Sequence, residues 1–66
     1  MKIFLNGQEH DIGAGASLLQ LLEHAGHAGR RVAVEINREI VPRSRYGERL
    51  LDAGDRVEIV QAIGGG

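Results

Sequence analysis

The sequence ends in QAIGGG, an apolar, strand-like segment followed by Gly64, Gly65 and Gly66. Frayed termini usually finish in polar residues, whereas three glycines add flexibility without solubility. They leave an α-carboxylate on the slenderest possible stalk, which spans about 10 Å when extended. A backbone without Cβ atoms can thread a channel too narrow for any side chain. The working group is therefore expected to be the carboxylate of Gly66, delivered to a catalytic centre on another protein. A carboxylate is a poor electrophile, so the useful chemistry is activation by ATP to an acyl-adenylate, from which a sulfur, thiol or amine nucleophile displaces AMP. The chain has no cysteine to capture an activated acyl group, and Lys2 is its only lysine. A carrier of a small group fits this better than a polymer-forming modifier.

The other residues with chemical potential have structural duties. Gly13-Ala14-Gly15 precedes an expected helix and superficially suggests a phosphate cradle. Leu18 stands where a third glycine would be needed, and no Lys-Ser/Thr follows, so the segment reads as a turn. His24 and His27 stand three apart beside Glu23, but no third metal ligand is evident, and polar side chains suit a helix C-terminus. His10 and Asp11 are neighbours on an expected strand and face opposite ways. Ser17 is expected to cap a helix and has no base. No nucleophile, base and orienting group can be assembled, so the chain does not read as an enzyme. It is expected to bind no metal and no cofactor of its own.

The elements that position the tail follow from local patterns. KIFLN, the pair Asn6-Gly7 and QEHDI make a hairpin with a two-residue type I′ turn. Ser17 and Gln20 have the spacing of a capping box, Leu18, Leu21, Leu22 and Ala25 form one apolar stripe, and Gly26 suits a left-handed cap. The spacing predicts a helix of about nine or ten residues. RVAVEIN alternates as a half-buried strand, Asn37-Arg38 turns it, and Glu39 to Val41 form an edge strand that Pro42 ends. Residues 43–51 give mixed signals, with one helical turn expected around Tyr46. DAGD is a turn, and RVEIVQAI is the last strand.

One helix covering one face of a small mixed sheet is the α+β, β-grasp (ubiquitin-like) arrangement, with four to five strands. Residues 1–63 are expected to form the domain and residues 64–66 a flexible tail. With Ile3 and Leu5 facing the helix, Phe4 faces outward, as do Val60 and Ala62. The first and last strands are central neighbours in such a sheet. Phe4, Val60 and Ala62, with Ala33, are thus expected to form a docking patch leading to the tail.

Size and charge bound the remaining possibilities. Sixty-six residues make one domain, and a domain this small buries only about 60% of the surface its unfolded chain exposes. A formal net charge of −1 gives no nucleic-acid footprint. Arg38, Arg43, Arg45 and Arg49 gather in the middle, but Glu39 and Glu48 lie among them, so they read as a solvated polar face. No apolar run approaches the roughly 18 residues of a membrane span. The N-terminus turns polar too soon for a signal peptide. The expected location is cytoplasmic.

The whole chain resembles the ThiS family, the ubiquitin-like sulfur carrier proteins of thiamine (thiazole) biosynthesis. The likeness runs from the LNG hairpin through SLLQLL, VAVEINREIVPRSRY and DAGD to VEIVQAIGGG. The resemblance implies a ThiF-like adenylating enzyme that uses Mg-ATP to convert the Gly66 carboxylate to an adenylate. It also implies a cysteine-fed sulfurtransferase that leaves a thiocarboxylate there, and a ThiG-like thiazole synthase that receives the sulfur. Gly64 and Gly65 then enter partner active sites as the stalk. Three alternatives stand beside it: the small subunit of molybdopterin synthase, whose family is typically longer; a covalent protein modifier; and an RNA-binding or regulatory module of the same fold, which needs no free terminal glycine.

Overall fold

The structure is a computed structural model that describes residues 1–27 and 29–61. The element order is β1 (Lys2–Leu5), β2 (Gln8–Asp11), α1 (Leu18–His24), β3 (Val32–Ile36), β4 (Glu39–Val41), a 3-10 turn (Arg43–Arg45) and β5 (Arg56–Gln61). The strands form one sheet in the order β2-β1-β5-β3-β4. β1 and β5 pair in parallel; the other neighbours are antiparallel. This is the β-grasp architecture the sequence predicts, and the last strand lies at its centre.

Two hairpins frame that strand. Asn6 and Gly7 have φ of 49° and 83°, and Asn37 and Arg38 have φ of 51° and 68°. A type I′ turn demands positive φ at both central residues, and its twist matches that of the flanking strands. Asparagine enters this region more readily than other residues with a side chain. Arg38 has no such excuse, and a non-glycine residue there costs about 1–3 kcal/mol unless its surroundings impose it. The imposing neighbour is Asn37, whose side chain fixes the turn against β5.

The helix begins on a complete capping box: Gln20 N–H donates to Ser17 Oγ at 3.1 Å, and Ser17 N–H donates to Gln20 Oε1 at 2.8 Å. It is shorter than the nine or ten residues expected. Ala25 is already the C-cap, Gly26 turns left-handed at φ 83°, and the His27 and Gly26 N–H groups donate back to Leu22 and Glu23 carbonyls. This reversal satisfies the last carbonyls and closes the helix after two turns.

Leu18, Leu21 and Leu22 point from α1 into a core with Ile3, Leu5, Val34, Ile36, Val57 and Ile59 from the sheet. Each such side chain contributes about 1.5–3 kcal/mol when removed from water. Tyr46 and Leu51, from the irregular segment after the 3-10 turn, close one end. The Tyr46 hydroxyl donates to Val32 C=O at 3.3 Å. That segment is also tied to the helix start, where Leu18 and Leu19 N–H donate to Arg49 and Tyr46 carbonyls.

Among the described residues, no helix is long and apolar enough to cross a membrane.

Candidate functional site

Of the residues the sequence nominates, Ala62 and Gly64 to Gly66 lie outside the described residues. What the structure places is their platform, β5. Its first residue is gripped by the β3–β4 turn: Asn37 N–H donates to Arg56 C=O at 2.8 Å, and Arg56 N–H donates to Asn37 Oδ1 at 3.0 Å. Asn37 Nδ2 in turn donates to Asp55 Oδ1 at 3.0 Å, and Asp52 N–H to Asp55 Oδ2 at 2.8 Å. Asp55 is 6% exposed, so these bonds are what make its burial tolerable. Further along, Asn6 Oδ1 accepts the Ile59 N–H at 2.8 Å. The two turn asparagines thus hold β5 from opposite sides. Turn propensity found both residues; their second role depends on partners far away in sequence, which no local pattern reveals.

The face of the sheet away from the helix is open. Phe4, Arg56, Glu58, Val60, Ala33 and Glu35 alternate with buried neighbours and so share it. Val60 is 61% exposed and lies opposite Ala33. Phe4 is half-buried, is level with Arg56 in the parallel register, and has the Arg56 guanidinium 5.3 Å above its ring. Glu58 intervenes along β5 between Arg56 and Val60, opposite Glu35. The open face therefore carries Phe4 and Val60 at two separate points, with charged residues between them.

The alternative sites have other employment. Before α1, the Leu18, Leu19, Gln20 and Leu21 N–H groups all have intramolecular acceptors. A phosphate at the Gly13–Gly15 loop would find no free donor among them. His24 ends the helix in solvent, and His27 is half-buried. Among the described residues there is no group of three or more His, Cys, Asp or Glu able to hold a metal. His10 and Asp11 pair with Ile3 and Lys2 respectively, on opposite faces of β2. In the arginine-rich segment, Arg45 meets Glu48 at 3.4 Å and Arg49 meets Asp55 at 3.8 Å, which makes it a mixed-charge surface.

Comparison with known proteins agrees with this architecture. The ThiS family model matches residues 3–66. Over 66 residues the chain is 47% identical to a thiazole synthase of Magnetococcus marinus and 46% identical to one of Paramagnetospirillum magneticum, and it spans 20% of the length of each. It is 33% identical to the sulfur carrier protein ThiS of Escherichia coli, with 100% of both chains covered. The crystal structure of the thiamine biosynthesis protein ThiS from Geobacter metallireducens superposes with a TM-score of 0.86 at 28% identity, again covering 100% of both chains.

Proposed function

The chain belongs to the ThiS family, and from that premise we propose that it is a cytoplasmic sulfur carrier of thiamine biosynthesis whose working atom is the Gly66 carboxyl carbon. An adenylating enzyme supplies Mg-ATP; a Gly66 carboxylate oxygen attacks the α-phosphorus and pyrophosphate leaves. The terminal sulfur of a persulfide on a cysteine-fed sulfurtransferase then attacks the acyl carbon and AMP leaves; a second thiol cleaves the acyl disulfide so formed, releasing the thiocarboxylate and a disulfide. A thiazole synthase passes that sulfur to a carbonyl carbon of its substrate, and an oxygen from that acceptor or from water takes its place at the acyl carbon, so the Gly66 carboxylate returns. The chain is a co-substrate in each step and supplies no catalytic group.

The observation that carries this reading is the end-to-end match to the Escherichia coli sulfur carrier, which extends through Gly66. The open face of β5 supports it. A strand pinned by Asn6 and Asn37 makes a rigid base for a slender arm, and Val60 with Phe4 offers apolar contact to the enzymes that receive the arm. Ordering each tail residue in an active site costs about 1–2 kcal/mol, which this docking must offset.

Intact mass tests it. After incubation with the adenylating enzyme, Mg-ATP and the sulfurtransferase, the chain should gain the mass difference of sulfur replacing oxygen, located on Gly66. An unchanged mass with active partners would overturn the reading.

A further inference from the structure

The strand that leads toward Gly66 loses one neighbour before it ends. Backbone groups of β5 alternate between its two sides. Those of Arg56, Glu58 and Val60 face β3, as the Asn37–Arg56 bond shows; those of Asp55, Val57, Ile59 and Gln61 face β1. On the β1 side, Phe4 N–H donates to Asp55 C=O and Asn6 N–H to Val57 C=O, both at 2.9 Å. β1 then stops at Leu5, and the Asn6 side chain alone continues the ladder by accepting the Ile59 N–H. Beyond it, Ile59 C=O and the Gln61 N–H and C=O have no hydrogen-bond partner among the described residues. An acceptor, a donor and an acceptor at strand spacing form a template for another strand. Val60, exposed beside them, offers a side-chain contact to whatever pairs there.

Resting on the carrier reading above, we propose that the thiazole synthase places an extended backbone segment along this open edge of β5, adding a strand beside Ile59–Gln61. The occupant is argued from the relatives: a domain 47% and 46% identical to this chain forms 20% of two thiazole synthases, so this surface occurs in one polypeptide with a synthase body. Strand addition specifies the arm's direction through main-chain bonds, which a patch of apolar side chains alone does not do. The edge is short, so it positions the arm, while the open face contributes affinity.

Amide hydrogen exchange of the 66-residue carrier, alone and saturated with a thiazole synthase, tests this. In the free carrier the Gln61 amide should exchange as an unprotected amide while Glu58 and Val60, bonded to β3, are slowed. On binding, Gln61 should slow by at least about tenfold. A Gln61 amide already slowed in the free carrier, or still fast in a formed complex, overturns the edge pairing. As a second arm, Gln61→Pro removes the donor on the open side; it should keep the thermal midpoint and bind the synthase about tenfold more weakly. Equal binding overturns the proposal. If sulfur still passes from Gly66 to the synthase while Gln61 stays unprotected, edge pairing fails and the carrier reading stands; if no complex and no transfer occur, both fail.

Discussion

Asn37 and Asp55, eighteen residues apart, are joined side chain to side chain at 3.0 Å, and this bond locks the β3–β4 turn to the start of β5. Asp55→Ala removes the buried carboxylate that accepts from Asn37 Nδ2 and the Asp52 N–H. Hydrogen bonds to a charged group contribute about 1.5–3 kcal/mol each, less here because Asn37 and Asp52 are exposed and water can replace the lost acceptor. The variant should lose about 2–3 kcal/mol in urea titration, with the slope of the transition unchanged. Asn37→Gly keeps the positive φ and removes only the side chain, so it should lose less. A double-mutant cycle with no coupling between the two would show the lock to be dispensable.

The capping box is testable in isolation because both of its bonds are local. Ser17→Ala should cost about 1 kcal/mol, which in a domain of this size lowers the thermal midpoint by about 4–8 °C. Ser17 is buried, and a serine that capped nothing would be replaced by alanine at little cost. An unchanged midpoint would therefore remove the cap from the account of helix stability.

Gly65→Val places a branched side chain one residue behind the carboxylate. It should abolish pyrophosphate release by the adenylating enzyme, with circular dichroism and thermal midpoint unchanged. Normal turnover would mean that the partner's channel admits side chains, and the argument from glycine would fail.

Val60→Arg probes the open face most cleanly. Val60 stands clear of its neighbours, whereas the Phe4 ring lies under the Arg56 guanidinium. Phe4→Arg removes that contact, worth about 0.5–1 kcal/mol at an exposed site, and sets two cations side by side. Each variant should weaken binding to the adenylating enzyme about tenfold or more. For Val60→Arg the loss should come without a change in fold stability. A titration with an unchanged dissociation constant for Val60→Arg would exclude this face from docking.

Much of the fold was legible because its signals are local. Asn6-Gly7 specified a type I′ hairpin, Ser17 with Gln20 specified a helix start, Gly26 specified its stop, and Pro42 ended β4. The alternation in β1, β3 and β5 put Ile3, Leu5, Val34, Ile36, Val57 and Ile59 inward. The helix came out shorter than expected because Ala25, which continues the apolar spacing, is the cap residue. Residues 43–51 gave mixed signals because they are held by long-range bonds to the helix start and by burial of Tyr46 and Leu51, not by any periodic pattern. The Phe4–Arg56 stacking was hidden for a related reason: it depends on the parallel register of two strands at opposite ends of the sequence. The glycine arm, by contrast, is an expectation from composition alone, and Gly64 to Gly66 lie outside the described residues.

The central place of β5 also governs the order in which the domain can be made. β1 and β2 can pair as soon as they are synthesised, and α1 follows them, but the middle of the sheet stays vacant until Arg56–Gln61 is available. A chain emerging from the ribosome therefore cannot complete its core until β5 has been released, and pairing of distant segments of this kind is slow relative to local folding. A nascent or clipped chain lacking β5 would be left with an unclosed sheet and exposed leucines, open to proteolysis. Only molecules translated through Arg56–Gln61 can close this sheet, so the native fold itself reports that synthesis has passed β5.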